Sequence, residues 1–102
     1  MGMGTIRLEI LPGLREVFDT KGTGAFSLEE KIEKGTTVGD IIRKLAAVHH
    51  AFGDMIFDSR TQKVSGDITM VVNDRLLESL NGLDTIVKDG DVIRLFPVIA
   101  GG

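Results

Sequence analysis

Lys88-Asp89-Gly90-Asp91-Val92-Ile93-Arg94-Leu95-Phe96-Pro97-Val98-Ile99-Ala100-Gly101-Gly102 is the stretch on which the reading of this chain turns. Lys88-Asp89-Gly90 is a turn signal, because Asp bonds its own backbone and Gly tolerates positive φ. Asp91 to Phe96 then reads as a strand, with Ile93 and Leu95 on one face and Arg94 and Phe96 on the other. Pro97 lacks a backbone donor and holds φ near about −65°, so it ends strand pairing and stiffens the exit. Ala100-Gly101-Gly102 carries almost no side chain. Glycine can enter a narrow slot that other residues cannot, and its carboxylate is the least hindered acyl group a chain can offer. The expectation is a flexible tail over 98–102, with Ala100 and Gly101 threading a partner's slot and the Gly102 carboxylate as the reactive group.

Working outward, Thr5 to Ile10 alternates, with Ile6, Leu8 and Ile10 on one face and Thr5, Arg7 and Glu9 on the other. Period two with one apolar face predicts a half-buried strand. Pro12-Gly13 ends it, Leu14 to Phe18 reads as a short helical turn, and Asp19 to Gly24 as a polar loop. A second strand follows with Phe26, Leu28 and Ile32 inward; Glu30 interrupts that face and marks an edge or a bulge. Thr37 and Asp40 form a capping-box pattern. Behind it, Val38, Ile41, Ile42, Leu45 and Ala46 keep the spacing of an amphipathic helix that frays near His49-His50. Ala51 to Gly66 reads as a long, mostly polar connection with one helical turn near Met55-Ile56-Phe57. Ile68 to Val72 is apolar on both parities, as a central strand is. Asn73-Asp74 turns the chain into a short return strand, Arg75-Leu76-Leu77.

Two strands, one main helix and further strands ending at the C-terminus predict an α+β domain: a mixed sheet covered on one face by a single helix. If the first and last strands lie side by side, the tail leaves from the middle of the sheet. That arrangement is the β-grasp, and it spans residues 1–102 as a single domain.

Composition narrows the function. The chain has 102 residues, a net charge of −3, 42% hydrophobic and 26% charged residues, which fits one soluble domain. No Lys/Arg cluster supplies the footprint for nucleic acid, and no apolar run approaches a membrane span. The absence of cysteine removes disulfides, thiolate metal sites and a cysteine nucleophile, and it fits an intracellular, cytoplasmic setting. His49-His50 is no metal pair, since helical neighbours point about 100° apart. Asp89 and Asp91 lack the distal Glu of a calcium loop and read as turn residues; no metal is expected.

The terminal stretch resembles the end of the small subunit of molybdopterin synthase, with relatives in the thiamine sulfur carrier and the ubiquitin-like modifiers of archaea and bacteria. The residues that carry the likeness are Asp89-Gly90-Asp91 before the last strand, Phe96-Pro97 after it and Ala100-Gly101-Gly102 at the end. It extends more loosely through Leu14-Arg15-Glu16, Thr37-Val38-Gly39-Asp40 and Val71-Val72-Asn73. The chain departs from compact members in its longer 19–24 and 51–66 segments. Val98 also stands where many molybdopterin-type members have a second proline.

The resemblance implies a sulfur carrier. An E1-like adenylyltransferase of the MoeB/ThiF type uses ATP to adenylate the terminal carboxylate, and a sulfur nucleophile converts it to a thiocarboxylate on Gly102. The sulfur then passes to an acceptor such as the molybdopterin synthase large subunit. This chain has no phosphate-binding glycine motif and no paired nucleophile and base. It is therefore expected to bind no cofactor itself, the ATP being the partner's. Phe96, Arg94, Pro97 and Val98, flanking the tail's root, are the expected partner-binding residues. A protein modifier joined to lysines through Gly102, and a non-catalytic β-grasp interaction module, are the competing readings.

Overall fold

The computed structural model describes residues 3–11, 14, 18, 26–58, 63–64 and 68–97, and at 57–58, 63–64, 78 and 97 the backbone alone. Pro12-Gly13, the 19–24 loop and Val98 to Gly102 lie outside the described residues, as does most of the 14–18 turn.

Strand β1 (Gly4–Ile10) pairs antiparallel with β2 (Phe26–Ile32) and parallel with β7 (Val92–Pro97). On the far side of β7 lies antiparallel β5 (Ile68–Val72), followed by the short β6 (Arg75–Leu76). The order β2-β1-β7-β5-β6 places the first and last strands together at the centre of a mixed sheet. This is the β-grasp expected from the element order. The last strand runs one residue later than predicted, with Pro97 as its final residue, opposite Ile68.

Alternation decides which face is covered. Ile6, Leu8, Ile10, Met70, Ile93 and Leu95 are buried against helix α1 (Val38–Val48), whose Val38, Ile41, Ile42 and Leu45 complete the core. The capping box is present in full. Thr37 Oγ1 accepts the Asp40 N–H at 3.1 Å, and Asp40 Oδ2 accepts the Thr37 N–H at 3.0 Å. That backbone N–H, then the Thr37 hydroxyl, hold the Asp40 carboxyl below the usual carboxylate range, with Arg43 adding attraction.

Three expectations need correction or refinement. The 51–66 segment is not mainly an irregular connection. It opens with a second helix, α2 (His50–Ile56), followed by a two-residue antiparallel pair, β3 (Phe57–Asp58) and β4 (Lys63–Val64). Phe52 and Ile56, four residues apart, are fully buried, and a helix this short leaves too few turns for periodicity to register. Gly53 lets it close on α1, since a Cβ there would lie 3.0 Å from that of Ala46. At Glu30 the edge reading holds and the bulge does not: the β1–β2 register runs unbroken from Gly4↔Ile32 to Ile10↔Phe26. The Glu30 carboxylate instead meets Lys44 Nζ from α1 at 3.0 Å. The return strand is two residues, after which buried Leu77 begins a 3-10 turn (Leu77–Ser79).

Candidate functional site: the open sheet face at the root of the tail

The acids of the quoted stretch set up β7. Asp89 Oδ1 accepts the Thr5 N–H at 2.8 Å while the Gly90 N–H donates to the Thr5 carbonyl at 2.9 Å. Gly90 takes φ +88° to make that turn. Asp91 Oδ2 accepts the Lys88 N–H at 2.8 Å, and its Oδ1 accepts Asn73 Nδ2 at 2.8 Å. Asn73 Oδ1 in turn accepts the Val92 N–H at 3.0 Å. These carboxylates are structural partners that lock the start of β7 to β1 and to the β5–β6 turn.

From there parity carries two side chains to the uncovered face. Ile93 and Leu95 are fully buried, whereas Arg94 and Phe96 stand half-buried on the open side. Arg94 lies opposite Glu9 of β1 and is the centre of an ion-pair cluster. Its Nε lies 3.3 and 3.4 Å from the two Glu9 carboxylate oxygens, and its Nη1 is 2.9 Å from Asp74 Oδ1. The side chain remains 43% exposed. The guanidinium is thereby held in one place, strand β1 on one side and the β5–β6 turn on the other.

Register adds residues that sequence reasoning missed. Val71 lies opposite Arg94 on one side and Leu76 on the other, and Thr69 lies opposite Phe96. The open face at β7 thus carries an apolar strip of Phe96, Val71 and Leu76, the last 47% exposed. It borders the Glu9–Arg94–Asp74 ion triad. The signal for Leu76 was present in the turn: Asn73 and Asp74, at φ 50° and 68°, form a two-residue hairpin connection. Such a turn sets Val72 against Arg75 and Val71 against Leu76.

Of the expected site residues, Arg94, Phe96 and Pro97 lie in the last four residues of the central strand, Arg94 and Phe96 on its open face. Val98, Ala100, Gly101 and Gly102 lie outside the described residues. His49 caps α1 through its N–H to the Leu45 carbonyl at 2.7 Å, and its ring stands edge-on to Phe18 with centroids 5.0 Å apart. Among the described residues no group of three metal-ligating side chains gathers, and no helix is long and apolar enough to cross a membrane.

Comparison with known proteins agrees with this geometry. Small archaeal modifier protein 3 of Haloferax volcanii is 28% identical over 97 residues, 95% of this chain and 98% of that protein. Sulfur carrier protein CysO of Mycobacterium tuberculosis is 32% identical over 69 residues, 67% of this chain and 74% of that protein. The solution structure of the HVO 2177 protein of Haloferax volcanii superposes with a TM-score of 0.77 at 28% identity, covering 99% of this chain and 89% of that one. The sequence pattern of the ThiS family matches residues 15–102. With a central terminal strand, an uncovered face beside it and that match across the body of the chain, the protein belongs to the ThiS family of ubiquitin-like sulfur carriers and modifiers.

Proposed function

We propose that this protein is a sulfur carrier. Its Gly102 carboxylate attacks the α-phosphate of ATP on an E1-like enzyme of the MoeB/ThiF type, releasing pyrophosphate and forming an acyl adenylate. Hydrosulfide adds to the acyl carbon, AMP departs with the bond to the acyl oxygen broken, and loss of the S–H proton leaves a thiocarboxylate. The sulfur then goes to an acceptor enzyme, the large subunit of molybdopterin synthase or another sulfur-accepting protein, in the cytoplasm. The chain's own part is presentation: it binds no cofactor, and Ala100 and Gly101 thread the activating site.

The observation that carries the reading is the position of β7, central in the sheet and leading directly into Ala100-Gly101-Gly102. Phe96 and the strip around it are the docking surface, because buried aromatic anchors dominate interface energies. Arg94, held by Glu9 and Asp74, offers its remaining donors to a partner carboxylate. Pro97 and Val98 aim the tail.

A second reading is favoured by the likeness to a protein named as a modifier, spanning 95% of the chain: joining of the activated Gly102 to lysine amines. Intact mass spectrometry after co-expression with an E1-like enzyme and a sulfur source separates the two. Exchange of one oxygen for sulfur on the free chain supports the carrier; isopeptide adducts through Gly102 support the modifier. Deleting Gly102 abolishes both products while leaving the melting temperature in place. Retained product, or an inert wild-type chain, overturns the proposal.

A further inference from the structure

The two edges of the sheet differ in kind. The β6 edge is two residues long, whereas β2 presents seven residues in unbroken register, with no proline, glycine or bulge. Its hydrogen-bonding direction can be read from β1. The Arg7 N–H donates to the Asp91 carbonyl at 3.0 Å, the Leu11 N–H to the Leu95 carbonyl at 3.2 Å, and the Thr5 carbonyl accepts the Gly90 N–H at 2.9 Å. The odd-numbered residues of β1 therefore turn their peptide groups toward β7, and the even-numbered ones toward β2. Their partners Phe26, Leu28, Glu30 and Ile32 are thereby consumed. Ser27, Glu29 and Lys31 direct N–H and C=O outward, and among the described residues nothing pairs them. The edge closes at Glu33, whose N–H donates to Thr36 Oγ1 and whose carbonyl accepts the Thr36 N–H, both at 3.1 Å.

An open edge is a template for another strand, and edge charges commonly block it. Here the charges alternate in sign at two-residue spacing, Glu29 then Lys31. We infer that this edge is a self-association surface, pairing β2 antiparallel with β2 of a second copy about a two-fold axis at Glu30. A ladder forms only where outward-facing residues oppose outward-facing ones. Centring the axis on Glu29 sets Glu29 against Glu29, which repels. Centring it on Glu30 sets Glu29 against Lys31 of the second copy and Lys31 against its Glu29, each pair exchanging both peptide hydrogen bonds. On the helix side Leu28 then meets Ile32, and Glu30 faces Glu30 with each carboxylate already held by its own Lys44 at 3.0 Å.

This two-fold runs perpendicular to the sheet, so both helices stay on one face and both open faces on the other. The two β7 strands then point in opposite directions. Phe96 stands on β7, two strands in from β2 and about 12 Å from the seam, and is not covered by it. An edge-to-edge seam falls short of the roughly 1,000 Å² that marks a stable interface, so the association is weak and concentration-dependent.

Sedimentation equilibrium of the full chain from micromolar to millimolar concentration tests it. The average mass is expected to rise toward twice that of one chain. Glu29→Lys alone and Lys31→Glu alone each abolish the rise. An equal mixture of those two variants restores it, because each edge then complements the other, and the double swap Glu29→Lys/Lys31→Glu restores it in one chain. Both side chains are exposed, and an unchanged circular dichroism melt confirms that the variants fold. A wild-type chain that stays monomeric throughout, or single reversals that leave association unchanged, overturns the inference.

Discussion

The two faces of β7 use the same backbone for opposite purposes. Ile93 and Leu95 are sealed against α1, while Arg94 and Phe96, one residue away in each case, stand half-buried on the other face, with no helix among the described residues packed over them. A central strand buried on one side only can devote that side to stability and the other to recognition without conflict. Substitutions on the two faces should therefore separate cleanly: inward changes cost folding, outward changes cost binding.

The most severe test is Leu95→Ala. A fully buried leucine at the centre of the core costs about 2–5 kcal/mol on truncation, a large share of the stability of a domain of this size. Denaturant titration should show the midpoint collapse; a loss under 1 kcal/mol would break the division between faces. Phe96→Ala should do the reverse. We expect at least about tenfold weaker binding to the activating enzyme, equivalent to roughly 1.4 kcal/mol, with a smaller change in folding stability. Isothermal titration calorimetry and a thermal melt read the two quantities separately, and unchanged affinity would remove Phe96 from the docking surface.

Smaller effects sharpen the picture. Thr37→Ala removes the N-cap oxygen and should lower stability by about 1 kcal/mol, with partner affinity unchanged because α1 lies on the far side of the sheet. The cap also has a pH signature. Asp40 has its carboxyl depressed by the Thr37 backbone N–H, so its contribution is complete above the ordinary carboxylate value of about 4 and fades as pH falls through the lower folded value. Asp40→Asn should flatten that part of the acid limb in a melting series. Arg94→Gln is the mildest. Its exposed ion pairs are worth about 0–1 kcal/mol, and any loss should shrink at high salt. A larger, salt-insensitive loss would show that the triad supports the fold rather than presenting a charge.

Legibility from sequence followed the strength of local signals. Thr5 to Ile10 alternates strictly and is the strand observed; the Thr37/Asp40 box starts the helix where it was expected. His50–Ile56 was legible only as one turn near Met55-Ile56-Phe57, because seven residues interrupted by Gly53 give Phe52, Met55 and Ile56 too few turns to establish a helical period. Arg94 was legible as an open-face residue but not as an ion-pair centre. Its partner Glu9 is 85 residues away, and Asp74 reaches it only through the φ-positive turn. Leu76 needed both that turn and the β5–β7 register before it joined Phe96 and Val71 on one surface.

Alternation, capping and turn residues act over a few positions, so the linear order of amino acids was enough to place β1, β2, α1, β5 and β7 and their inward faces. Which strands became neighbours, which became edges and which distant charges met Arg94 depended on the closed sheet. Those contacts join segments far apart in the chain, and their energies exist only once the hydrophobic faces have been brought together.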